Sequence, residues 1–167
     1  MAHKHIDGVT VRSEFSECQK YRYTLSIEKT GSSGDEGLCV IMQNPSYASS
    51  ENADKSVQFI EKLVFEKKYS EFKNVKKIIV VNQFAFIQTK DFVGSDNNIG
   101  TNNDKHIRET IQSCDLVLVA WGKSNNYDDR IATINTMIKD SGKSRLFQTK
   151  SHPSRGTYVN FVEKYII

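Results

Sequence analysis

Three short apolar runs, Leu38–Met42, Ile78–Val81 and Leu116–Ala120, constrain this chain more than any other feature. Each is continuous rather than alternating, the pattern of a strand buried on both faces. A weaker run follows at Arg145–Gln148. Helical spacings separate these runs: Val57, Ile60 and Val64, then Ile107 and Ile111, then Ile131, Ile134 and Ile138. Val159, Val162 and Ile166 repeat the spacing at the end. Strand–helix alternation predicts an α/β fold, a three-layer α/β/α domain with a mainly parallel central sheet. Tyr21–Ile27 alternates through Tyr21, Tyr23, Leu25 and Ile27, which predicts an edge or antiparallel strand.

The length of 167 residues fits one domain spanning 1–167, with residues 1–20 a mobile or loosely packed segment. Glycine-rich 31–37 and asparagine-rich 94–103 interrupt that domain as loops. No apolar run approaches the ~18 residues needed to cross a bilayer. Met1-Ala-His-Lys-His-Ile lacks a signal-peptide core. Cys18, Cys39 and Cys114 show neither metal spacing nor a disulfide framework. These features predict a cytoplasmic protein without membrane partners, metal or cofactor. His3 and His5 fall in the loose terminus, and His106, beside Asp104 and Lys105, is expected at the surface.

In a parallel sheet, ligands sit beyond the carboxyl ends of the strands. The residues just after each run therefore matter most. They are Gln43-Asn44-Pro45-Ser46-Tyr47, Asn82-Gln83-Phe84, Trp121-Gly122-Lys123-Ser124 and Thr149-Lys150-Ser151-His152-Pro153-Ser154-Arg155-Gly156. Each set alone has a plain structural reading: a turn at Asn44-Pro45-Ser46, a cap at Asn82, core filling at Trp121-Gly122, a capping His152. Together, amides, an imidazole and rings at one sheet edge predict a pocket, with Trp121 beneath it.

The net charge of +3 is too small to argue a nucleic-acid partner. Its distribution says more. Lys139, Lys143, Arg145, Lys150 and Arg155 face only Asp140 across residues 139–155. A solvated face accounts for that cluster as well as phosphate contacts by Lys143, Lys150 and Arg155. Other chemistries are absent as motifs: no Gly-x-Gly-x-x-Gly, no Gly-x-x-x-x-Gly-Lys-Ser and no Gly-x-Ser-x-Gly.

The motif order is itself a signature. Arg22 to Leu25, Cys-Val-Ile-Met-Gln-Asn-Pro-Ser-Tyr-Ala (39–48), Asp54-Lys55-Ser56, Ile-Val-Val-Asn-Gln-Phe-Ala (79–85), Val-Ala-Trp-Gly (119–122) and His-Pro-Ser (152–154) resemble the DUF1643 family of small bacterial and phage proteins. More distantly, Asn44-Pro45, Asn82, Trp121-Gly122 and His152-Pro153-Ser154 resemble the uracil-DNA glycosylase superfamily.

The second resemblance implies a uracil-DNA glycosylase-like fold and hydrolysis of an N-glycosidic bond of a base, in DNA or a related nucleotide. By that likeness His152 stabilises the leaving base anion, Asn44 positions water, and Asn82 reads the base edge. Tyr47 or Phe84 stacks on the base, with Phe59 a further ring. Gln43, Ser46 and Ser154 complete the ligand contacts. The motif departs from the likeness in two places. It reads Asn-Pro-Ser-Tyr where faster enzymes carry Asp-Pro-Tyr-His, and Arg155 stands where an apolar wedge is usual. Two other functional classes stay open. One is a non-catalytic nucleotide- or nucleic-acid-binding module in phage–host conflict. The other is a structural domain whose strand-end residues are turns and caps.

Overall fold

The continuous runs lie side by side. In the computed structural model, which describes residues 3–167, the strands are β1 (Val9–Phe15), β2 (Arg22–Lys29), β3 (Glu36–Met42), β4 (Val75–Asn82), β5 (Leu116–Val119), β6 (Leu146–Thr149) and β7 (Val162–Lys164). The helices are α1 (Lys55–Phe65), α2 (Asn103–Ser113) and α3 (Asp128–Ser141). One seven-stranded sheet runs in the order β1-β2-β4-β3-β5-β6-β7. Its centre, β4-β3-β5-β6, is parallel, and antiparallel strands flank it on both sides. The fold is thus mixed α/β with a mainly parallel centre.

The continuous apolar runs are explained by burial on both faces. Leu38, Val40 and Met42 of β3 join a cluster with Val57, Ile60, Leu63 and Val64 of α1. The intervening Cys39 and Ile41 join another with Ile107 and Ile111 of α2 and Ile134 and Ile138 of α3. Burying each such side chain contributes roughly 1.5–3 kcal/mol. Arg130 of α3 ties the second group to the strand ends. Its Nε donates to the Gln83 carbonyl at 2.9 Å, and its Nη2 to Asp104 of α2 at 2.6 Å.

Two elements differ from the sequence expectation. Val159, Val162 and Ile166 do not form a helix: Val159 and Ile166 are exposed, and β7 pairs antiparallel with β6. The open edge of β6 needs hydrogen-bond partners, and that demand outweighs a three-residue periodicity. β2 meets the expectation as its antiparallel alternative, lying between β1 and β4.

The amino-terminal stretch is the second difference. It supplies β1 and packs further back as well. Ile6 is buried, His3 bridges Ala53, and His5 lies between Glu61 of α1 and the Ser49 carbonyl, 2.7 Å from each. The signal for β1 was the alternation Val9, Val11, Phe15, broken by Ser13.

Among the described residues, no helix is long and apolar enough to cross a membrane. Cys39 and Cys114 are buried and Cys18 is exposed. His106 is half-buried and stacks on Tyr23.

Candidate functional site

The parallel register brings the strand ends level. Met42 of β3 pairs with Asn82 of β4, and the amide of Ala120, after β5, donates to the Ile41 carbonyl. Beyond these ends a cavity of about 490 Å³ opens beside the first turn of α1. That size falls within the roughly 300–1,000 Å³ of small-molecule sites.

The cavity gathers Asn44, Asn82 and His152. It also takes in Gln43, Ser46, Tyr47 and Ser154. Phe84 does not line it. This ring is buried behind Phe92, which does, with centroids 5.2 Å apart and edge to face. Trp121 belongs to the apolar cluster of α2 and α3 and stays away from the cavity. Phe59 stacks on Tyr158.

The basic residues divide. Lys143 follows α3 at the amino end of β6, close enough to Cys114 to influence its charge, and so sits at the opposite sheet edge. Lys150 is exposed outside the cavity lining, its amide bonded to the Phe161 carbonyl. Arg155 is exposed outside the lining too, but its charge acts on His152.

His152 has a defined tautomer. The Ser154 amide donates to its Nδ1 at 3.1 Å, and the Ser154 hydroxyl lies 2.9 Å from the same atom. Because an amide can only donate, Nδ1 holds a lone pair, and the neutral ring carries its proton on Nε2. Burial first, and Arg155 second, lower the pKa below 6.5, against an opposing pull from Asp54. The site therefore offers a neutral imidazole that donates.

Asn44 is engaged by its own loop and by the segment that follows β4. Its Nδ2 donates to the Gln88 carbonyl at 2.8 Å, and its Oδ1 accepts from Gln43 Nε2 at 3.0 Å. Asn125 continues the chain, donating to Gln43 Oε1 at 3.2 Å and to Gln83 Oε1 at 2.8 Å. Asn82 is the contrast. It is 1 % exposed, and among the described residues its Oδ1 has no partner. Asn103 holds the Asn82 main chain through the carbonyl at 2.9 Å, leaving the side chain to the cavity.

Sequence reasoning assigned no role to Arg22 or Asp54, and both line the cavity. Arg22 opens β2 and is buried. Its Nη1 donates to the Ala48 carbonyl at 2.8 Å, and among the described residues its Nε has no partner. Burial lowers its pKa to about 10, despite the charge of Asp54. Asp54 is the N-cap of α1, accepting from the Val57 amide at 2.8 Å. Among the described residues it is the only carboxylate lining the cavity. The signal for it was an Asp placed before an apolar helical run, the usual sign of a cap. Nothing in that sign marks a cavity.

No group of three or more His, Cys, Asp or Glu side chains gathers as a metal site among the described residues. No curated protein and no solved structure matches the chain. A family described as protein of unknown function (DUF1643) does match, over residues 22–155. The match opens at Arg22 and closes at Arg155, so every cavity residue lies inside it. The chain belongs to the DUF1643 family.

Proposed function

We propose that the cavity binds a nucleobase and that the protein hydrolyses the N-glycosidic bond joining that base to its sugar. The reading includes a three-layer, uracil-DNA glycosylase-like arrangement of the domain. The observation that carries it is the pairing of Asn82, a buried amide whose oxygen lacks a partner, with His152, a neutral ring donating from Nε2. An amide oxygen without a donor matches the N–H edge of a base. A neutral donor stabilises negative charge as the base departs.

In this reaction the C1′–N bond breaks with its electron pair leaving on the base. Water forms a bond to C1′, and its proton ends on the base. Developing positive charge on the sugar calls for a nearby anion, and Asp54 is the carboxylate available. Asn44 then shapes the loop rather than handling the water, since both ends of its amide are bonded.

The test is base release from nucleosides, nucleotides and oligonucleotides carrying common and altered bases. His152→Ala should lower single-turnover release about a hundredfold, the order of 3 kcal/mol for one well-placed donor. Full activity in that variant, with folding intact, would sink the hydrolytic reading. Asn44 favours a second reading. A site whose Asn44 amide is tied up by Gln43 and the Gln88 carbonyl also suits a non-catalytic nucleotide-binding module. That module binds the same ligands and releases no base.

A further inference from the structure

A cation lies buried in the cavity without a counter-ion in contact. Arg22 is 2 % exposed, and among the described residues no carboxylate pairs with its guanidinium. Nη1 has one acceptor, the Ala48 carbonyl, and Nε has none. Burying a charge without partners is costly, and such a group in a native protein calls for an explanation. A ligand anion supplies one.

The neighbouring wall has the same preference. Lys55 and Ser56, the first two residues of α1, line the cavity. The Asp54 carboxylate accepts from the Val57 amide and its carbonyl from the Gln58 amide, and the amides of Lys55 and Ser56, in the first turn, have no acceptor within the helix. An 11-residue helix presents partial positive charge at that end. With His152 neutral, the cavity holds two cations, Arg22 and Lys55, against one carboxylate, Asp54. The imbalance favours an anion inside.

The geometry points to a phosphate subsite formed by Arg22, Lys55, Ser56 and the first turn of α1, and to a free nucleoside monophosphate as the ligand. The base half rests on the reading of Asn82 and His152 given above; the phosphate half stands without it. A free nucleotide fits better than a DNA strand because Arg22 is enclosed. A flipped base enters its pocket while the strand's phosphates stay at the mouth. Of the basic residues that would grip such a strand, Lys143 sits at the opposite sheet edge.

Calorimetric titration of the full chain tests the assignment. The probes are inorganic phosphate, each common nucleoside, its 5′-monophosphate, and a single-stranded oligonucleotide of the same base. One monophosphate should bind at least about tenfold tighter than its nucleoside, the worth of one or two charge-assisted hydrogen bonds. Inorganic phosphate should compete with it. Lys55→Ala, at an exposed position, should remove most of that advantage without disturbing the fold. Arg22→Gln should abolish it, with circular dichroism verifying that the variant folds.

The failures separate. Phosphate binding that needs Lys55, with no gain from any base, keeps the subsite and overturns the nucleobase reading. A monophosphate no tighter than its nucleoside, indifference to Lys55→Ala, or no binding of any probe overturns the subsite. An oligonucleotide that binds tighter than the monophosphate, with the same Lys55 dependence, overturns the free-nucleotide assignment.

Discussion

A methyl group added to Gly122 would stand 3.3 Å from the Cβ of His152 and 3.5 Å from its backbone nitrogen. Gly122 also holds φ at +93°, where side chains are strained. The turn after β5 therefore sets how close His152 comes to the sheet.

Gly122→Ala should cost roughly 1–2 kcal/mol from backbone strain alone. For a domain of this size that lowers the melting temperature by roughly 2–8 °C. It should also displace His152 and weaken ligand binding. Thermal unfolding and titration, made on the same preparation, check both. Unchanged binding would mean that the imidazole does not depend on this turn.

Asn44 and Asn82 should respond oppositely to truncation. Asn44→Ala removes hydrogen bonds to Gln43, Pro45 and Gln88 and should cost about 1–2 kcal/mol of stability in urea unfolding. Asn82→Ala removes an oxygen with no partner and should leave stability near that of the parent. Binding discriminates in the other direction, with Asn82→Ala losing selectivity among bases. Asn82→Asp should change which base is accepted, because it replaces a donor by an acceptor.

His152 should make the fold sensitive to acid. Its folded pKa lies below 6.5, through burial first and Arg155 second, so it stays neutral while the unfolded chain takes up a proton. Stability is then complete above 6.5 and falls as pH drops toward the folded value. Arg155→Ala removes one cause of the depression. The His152 ring should titrate at higher pH in that variant, as followed by NMR, and the acid-side loss should shrink.

His5 should act in the opposite sense. Burial disfavours its charged form, but the hydrogen bonds to Glu61 and to the Ser49 carbonyl outweigh burial, and its pKa is raised above 6.5. The folded state holds the proton longer than the unfolded chain. This contribution is full below 6.5 and is lost as pH rises through the folded value. Glu61→Gln should flatten the decline seen on the alkaline side in urea titrations. An unaltered slope would assign the decline to another group.

The centre of the sheet was legible because burial on both faces leaves continuous apolar runs, as at Leu38–Met42 and Leu116–Ala120. The meeting of Asn44, Asn82 and His152 was legible too, since parallel strands deliver the residues after them to one edge. Edges were not legible. β7 exists because β6 needs a partner, a tertiary demand that three residues cannot announce. Arg22 was missed as a cavity residue because β2 runs antiparallel, so its first residue, not its last, reaches the site. A rule that inspects only the carboxyl end of each strand passes over one entering from the other side.

The buried charge of Arg22, with no counter-ion in contact, has a consequence for the protein as a whole. Burying a charge with no counter-ion in contact costs stability that the Ala48 carbonyl only partly offsets. A ligand anion that completes the guanidinium would recover that cost. Folding and occupancy are then one linked equilibrium, in which any compound that completes the guanidinium raises the melting temperature with concentration. The melting curve itself is therefore the instrument with which to search for the ligand.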